Sequence, residues 1–366
     1  MKTRYPRTVR PLPALLVLAS FSGLASQAGL ASLDFCSAAS GQSVIEVPTA
    51  TGIEGISDDG LTVSGVNVIN GVGDYFLWRP ASGFVQAHSN GIGQGFVAPI
   101  SGDGRVFGGA DPQAFAVRDT GVRTNIGTGS PDLFASMIEG LSQNGAAAAG
   151  WSRDVSFMAG WRWTAAGGIQ FLPGFVTARG ISGDGNTVVG TAGTGSTAVV
   201  WHNGVTTVLP IPAGTTGPFG TSAWQTNFDG SRVVGSSGNN AAVWVNGQGS
   251  LLPLLSGYGT ARATDLSDDG MVIIGNANPG AITAPEFIWT PSRGTELLST
   301  YFASFGVSLP EGNSIFSATV TPDGQSFGVT TIGPDNRGHG FIVSIPSPAG
   351  FTCMLLGLAA TRRRTR

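Results

Sequence analysis

Residues that commonly carry chemistry are scarce in this chain. Its only histidines are His88, His202 and His339, and they stand far apart. Imidazole is the usual acid, base and metal ligand near neutral pH, so three scattered copies do not suggest a catalytic centre. No His-Glu-x-x-His, Gly-x-Ser-x-Gly or P-loop pattern occurs. The glycine-rich run Gly91–Gly95 is followed by no helical pattern, which a phosphate cradle requires. Two carboxylate pairs, Asp58-Asp59 and Asp268-Asp269, are of the kind that bind Ca²⁺, but a turn motif already accounts for one Asp in each. Trp151, Trp161 and Trp224 offer aromatic faces that suit sugar rings or, alternatively, a core. Cys36 and Cys353 are the only cysteines and form no disulfide framework. The reading from these residues is no catalytic residue, no metal ligand and no cofactor.

Charge narrows the partners. The chain holds 19 basic and 22 acidic residues. Eight of the basic ones are Lys2, Arg4, Arg7, Arg10, Arg362, Arg363, Arg364 and Arg366, while all the acids lie between Asp34 and Asp335. Without its tails the body carries 11 arginines against 22 acids, a net charge of −11. So acidic a body argues against nucleic acid or an anionic membrane surface as partner.

The ends read as targeting segments. Basic residues 2–10, an apolar run from Leu12 to Leu24 and the small residues Ser26-Gln27-Ala28 have the layout of a secretory signal peptide over 1–28; a buried N-terminal helix is the alternative. Residues 29–42 read as a linker. At the other end Pro346-Ser347-Pro348 leads into an apolar stretch and then Arg362-Arg363-Arg364. Residues 346–366 read as a sorting or anchor segment in transient contact with a membrane, the arginines holding the terminus on the cytoplasmic side. A plain C-terminal anchor is the alternative.

Self-similarity orders the rest. Seven turns recur: Asp59-Gly60, Asp103-Gly104, Asn144-Gly145, Asp184-Gly185, Asp229-Gly230, Asp269-Gly270 and Asp323-Gly324. A Ser, Thr or Asn stands three residues before each glycine. Asp-Gly between apolar alternating runs signals a hairpin, here expected as a type I′ turn with both central residues at positive φ. A second glycine follows five residues on in six copies (Gly65, Gly109, Gly150, Gly190, Gly235 and Gly275), and Gly328 follows at four in the seventh. Next comes a strand bearing Trp78, Trp163, Trp201, Trp244 or Trp289, with Val117 and Val343 in the other two copies. Each indole is expected to lie across its strand glycine. A fourth strand such as Gly204–Pro210 completes a period of roughly 44 residues, the pattern of a propeller blade.

The expected fold is therefore all-β: a seven-bladed β-propeller of four-stranded blades over residues 43–345. The seventh copy lacks its fourth strand, and residues 43–48 (Ser43–Pro48) are expected to supply it, closing the ring and covering two sheet edges. An open β-solenoid is the alternative. Between copies six and seven, Glu296 to Phe305 has apolar residues at helical spacing, read as a short helix packed on the ring or a lid over the channel.

The phrase Ile181-Ser-Gly-Asp-Gly185 with Val188-Val189-Gly190, Trp201 and Gly204–Pro210 resembles the bacterial extracellular HAF-repeat proteins, over nearly all of 44–345. Pro346-Ser347-Pro348 with the following apolar stretch and arginines resembles a PEP-CTERM sorting signal, Ser347 replacing the usual Glu. The resemblance implies export, a propeller-like fold and handling by export and sorting machinery at the cell surface or beyond. The expected function is a monomeric, non-enzymatic scaffold binding an extracellular polysaccharide or surface protein. The alternative is a hydrolase or lyase acting on an extracellular polysaccharide through channel carboxylates.

Overall fold

The computed structural model describes residues 42–346, apart from 70–71, 89–96, 195 and 281–283. The signal-peptide reading, the linker up to Gly41, and the sorting-segment residues Pro348, Arg362, Arg363 and Arg364 lie outside the described residues. Pro346 is described and follows the last strand.

The chain forms a seven-bladed β-propeller, with blades I to VII in chain order. Blade I holds β2 (Gly52–Ile56), β3 (Val63–Ile69), β4 (Val72–Arg79) and β5 (Gly83–His88). Blade II holds β6 (Val106–Ala110), β7 (Ala114–Arg118) and β8 (Arg123–Gly127). Blade III holds β9 (Ala135–Leu141), β10 (Ala147–Arg153), β11 (Met158–Thr164) and β12 (Gly168–Phe171). Blade IV follows with β13 (Phe175–Ile181), β14 (Thr187–Ala192), β15 (Thr197–His202) and β16 (Val205–Val208). Blade V holds β17 (Thr221–Thr226), β18 (Arg232–Ser237), β19 (Asn240–Val245) and β20 (Gln248–Leu251). Blade VI holds β21 (Ala261–Leu266), β22 (Ile273–Ala277), β23 (Glu286–Thr290) and β24 (Gly294–Leu297). Blade VII holds β25 (Ser314–Val320), β26 (Ser326–Ile332) and β27 (Gly338–Ser344).

The N-terminal strand β1 (Ser43–Val47) completes blade VII in the order β25-β26-β27-β1. It runs antiparallel to β27, from Ser43 opposite Ser344 to Val47 opposite Gly340. The expected closing strand is thus in place, and it covers an edge that would otherwise expose unpaired backbone groups. The Thr330 hydroxyl adds a second tie from blade VII to blade I, accepting from the Ile53 amide at 2.8 Å and donating to its carbonyl.

Among the described residues the sheet of blade II has three strands, and at its inner position, next to the undescribed residues 89–96, a bridge joins Ile100 to Phe107. Pro99, with no amide proton to give, stands where the ladder would continue.

The recurrent turns also differ from the expected type. Only their glycines have positive φ, between 66° and 76°, and the preceding Asp or Asn does not. This is the hairpin in which a tight turn is followed by a left-handed glycine. Each glycine amide donates back to the carbonyl three residues before, as from Gly185 to Ser182 at 2.9 Å. The side chains complete the turn. Ser182 Oγ donates to Asp184 Oδ1 at 2.6 Å and accepts from the Thr187 amide at 2.9 Å, while Asp184 Oδ1 also accepts from the Asn186 amide. In blade V Asn227 replaces the serine and caps the Arg232 amide instead. The repeated Asp is therefore consumed locally, and among the described residues no group of three or more His, Cys, Asp or Glu could hold a metal.

The insertion forms α1 (Leu298–Ser304), with Leu298, Tyr301 and Phe302 buried. They join a core with Phe327, Val329 and Phe341 of blade VII. The helix touches β23 and β24, the outer strands of blade VI, so it packs on the ring's side and is not a lid over the channel. No described helix is long and apolar enough to cross a membrane.

Candidate functional site

The innermost strands of five blades share one irregularity. In β2, β9, β13, β17 and β21 the pairing skips the residue three before the turn's Ser or Asn: Glu54, Glu139, Arg179, Trp224 and Thr264. A bulge leaves that residue unpaired and re-aims its side chain. It also explains the strand glycines. At Gly65, Gly150, Gly190, Gly235 and Gly275 a Cβ would sit on the carbonyl oxygen of the bulged strand (Gly52, Met137, Thr177, Ser222 and Arg262 respectively). The expectation that the repeat indoles lie across these glycines is corrected. Trp78, Trp163, Trp201, Trp244 and Trp289 pair two residues earlier, with Val63, Ala148, Val188, Val233 and Ile273. All but the half-buried Trp289 are buried, so these are core residues.

Read around the ring, the bulge position is Glu54, Ala98, Glu139, Arg179, Trp224, Thr264 and Ala318. The residue before it is small or aliphatic in every blade, whereas this position holds two acids, a base, an indole, a hydroxyl and two alanines. Three of them, Glu139, Arg179 and Trp224, join Trp151 and Arg262 in an arc that crosses four blades. Trp151 Nε1 donates to Glu139 Oε1 at 2.7 Å, and Arg179 reaches Glu139 Oε2 at 3.9 Å. The Arg179 and Arg262 guanidinium carbons each stand 4.0 Å from the centre of the Trp224 ring. One indole thus carries two cations, each attracted by the π-face. Beyond Arg262, Asn276 donates to Glu286 Oε1 at 2.6 Å.

Electrostatics in the arc follow from confinement. Burial raises the Glu139 carboxyl, opposed by Arg179 and by the Trp151 hydrogen bond. Burial pushes Glu286 up to about 8 against Asn276 and Arg262, and it lowers Arg262, which Arg179 lowers further. Enclosure by the ring and the charge of Glu139 raise Glu54. Asp265 is raised by burial but structurally committed, accepting from Thr319 Oγ1 at 2.7 Å and from the Val320 amide at 2.9 Å.

A cavity of about 170 Å³ at the turn end of the channel is lined by Glu54, Glu139, Gln225, Asp265 and the turn tips. The tips bind one another. The Asp58 amide donates to the Gly102 carbonyl, Gln143 to Gly183, and Asp268 to Pro322, at 2.8–2.9 Å. A Cβ at Gly102 or Gly183 would collide with Gln143 or Phe228.

Of the residues singled out in the sequence, Trp151 and Trp224 belong to the arc. Trp161 does not: it is fully buried and its Nε1 donates to Ser152. His202 and His339 bond locally, to Thr187 and Asp335. The sequence reading missed Glu54, Glu139, Arg179, Arg262 and Glu286. Aligning the seven copies on the turn serine would have exposed the first three, since theirs is the position where the repeat stops repeating.

No family model matches the chain, and no curated protein matches it. Solved structures do. The β-propeller domain of Cps50 (Swd1) from Myceliophteria thermophila aligns with TM-score 0.53 and 10% identity, covering 83% of this chain and all of that one. An oligogalacturonate lyase from Vibrio parahaemolyticus gives 0.53 and 13%, covering 83% and 92%. A chain of the mitotic checkpoint complex gives 0.52 and 13%, covering 90% and 100%. At such identities the likeness is one of fold, and the fold is the β-propeller.

Proposed function

We propose that the protein is an exported, non-enzymatic binding scaffold of the cell surface or matrix, taking an extracellular polysaccharide or surface protein at the axis of its ring. The observation that carries this reading is the arc in which Glu139, Arg179 and Trp224 of the bulge position meet Trp151 and Arg262. The turns, strand glycines and repeat tryptophans all serve the scaffold. The arc from Trp151 to Glu286 offers donors, acceptors and aromatic surface together, a combination suited to a ligand rich in hydroxyl groups. Export rests on the two terminal segments and on the resemblance to HAF-repeat proteins.

One observation favours a second reading, an enzyme acting on an extracellular polysaccharide. Glu54 and Glu139 are channel carboxyls with raised pKa, the property of a general acid. A screen of the purified protein against neutral and acidic extracellular polysaccharides, reading binding and new reducing ends together, separates the two. Binding without cleavage, weakened about tenfold in Trp224→Ala, is the expected result. New reducing ends that vanish in Glu54→Gln would overturn the scaffold reading.

A further inference from the structure

Arg179 and Arg262 reach the Trp224 ring from the blades on either side of it, each guanidinium carbon 4.0 Å from the ring centre. Both are drawn to the π-system, yet they repel one another. Burial lowers Arg262 and the charge of Arg179 lowers it further, although an arginine stays protonated at any physiological pH. Little countercharge answers the pair. The Glu139 carboxyl stands 3.9 Å from Arg179, too far for a hydrogen bond. Glu286 attracts Arg262, but its carboxyl is pushed up to about 8 and is mostly protonated at neutral pH. Neither Nε closes a hydrogen bond with the protein. All three residues of the stack are half-buried and keep part of their surface open.

We infer that the arc selects an acidic polysaccharide, an oxyanion on the sugar (a uronate carboxylate or a sulfate ester) pairing with the guanidinium groups of Arg179 and Arg262. The inference rests on the reading of the arc as the ligand site and names the class of ligand it takes. The planar guanidinium fork matches an oxyanion with paired N–H groups. A bound anion also offsets the repulsion between two cations that the fold itself brings together. A neutral glycan supplies hydroxyl contacts but leaves that repulsion in place, and a cationic one adds to it. The body's net charge of −11 repels anions at long range, but salt screens that field beyond about 8 Å, whereas contact at the stack survives.

The test is calorimetric titration of the purified protein, at physiological salt, with cellotetraose and two acidic counterparts of the same length and linkage. One is oxidised at each primary alcohol to the uronate, and the other is sulfated there. At least one acidic form is expected to bind about tenfold more tightly than cellotetraose, and which one does so tells carboxylate from sulfate. Arg179→Gln and Arg262→Gln are each expected to bring that form down to the affinity of the neutral one. Binding of cellotetraose as tight as that of both acidic forms would overturn the inference while leaving a polysaccharide site at the axis. A preference that persists in both variants, or failure of all three probes to bind, would overturn it too. Loss of the effect of Trp224→Ala in the polysaccharide screen is what would remove the underlying site. Should either arginine variant fail to fold, the other variant and the acidic-to-neutral ratio of the unaltered protein decide.

Discussion

At the scale of single residues, the repeat motif separates into groups that close a turn and groups that permit a bulge. In six of the seven turns the hydroxyl is donor to the Asp or Asn and acceptor for the amide five residues on, so its removal leaves both unsatisfied. Ser182→Ala is expected to cost about 1–2 kcal/mol, read as a lower urea midpoint at unchanged slope. Gly190 answers to a different constraint, because the Thr177 carbonyl occupies the place of a Cβ. Gly190→Ala is therefore expected to cost more, on the order of 3 kcal/mol or above. Equal effects from the two variants would contradict the distinction. Glu286 is informative in another way. Its folded pKa, about 8, lies above the ordinary 4.5, so folding favours the protonated form. The stability this contributes is full below about pH 4.5 and is lost as pH rises toward 8. Unfolding midpoints are expected to fall over that window, and Glu286→Gln to flatten the fall; an identical slope in the variant would rule Glu286 out as its source. Glu139 and Asp265 titrate in the same direction and leave some slope behind.

At the scale of elements, the closing strand is the part most separated in sequence from its partner. Five residue pairs join β1 to β27, and Val44 packs on the core that holds α1. Deleting Ser43–Val47 is expected to expose the β27 edge, lower the thermal midpoint and cause self-association on size-exclusion chromatography. A monomer of unchanged stability would show that β1 is dispensable. The closing strand was legible beforehand because Ser43–Pro48 reads as the fourth strand that copy seven lacks. The helix was legible from its apolar spacing, with Leu298, Tyr301 and Phe302 on one face. Its location was not, since spacing tells which face is buried but not which strands bury it.

At the scale of the whole molecule, closure brings together residues from blades that are 40 to 54 positions apart in the chain. Arg179, Trp224 and Arg262 form one stack although each lies in a different blade. Trp224→Ala is expected to weaken ligand binding at the axis about tenfold while leaving the unfolding transition cooperative, because the half-buried indole serves the arc and belongs to none of the blade cores. Loss of folding in that variant would make the stack structural. The stack thus ties the proposed function to ring closure.

The sequence by itself determined the repeat, the number of blades, the turn positions and the strand that closes the ring. Those features depend on local spacing, glycine conformation and alternation of apolar residues, all of which are written along the chain. Tertiary structure decided the rest. The strand glycines look as though they serve the neighbouring tryptophans, yet it is a bulge in the facing strand that requires them. The turn aspartates look like cation ligands, yet one oxygen of each, Oδ1, is spent inside its own turn on a hydroxyl or a backbone amide. Glu54, Glu139, Arg179 and Arg262 are unremarkable as isolated letters. Glu54, Glu139 and Arg179 stand out because a bulge in five of the inner strands leaves one residue unpaired, and Arg262 joins them from a paired position on β21 through the Trp224 ring.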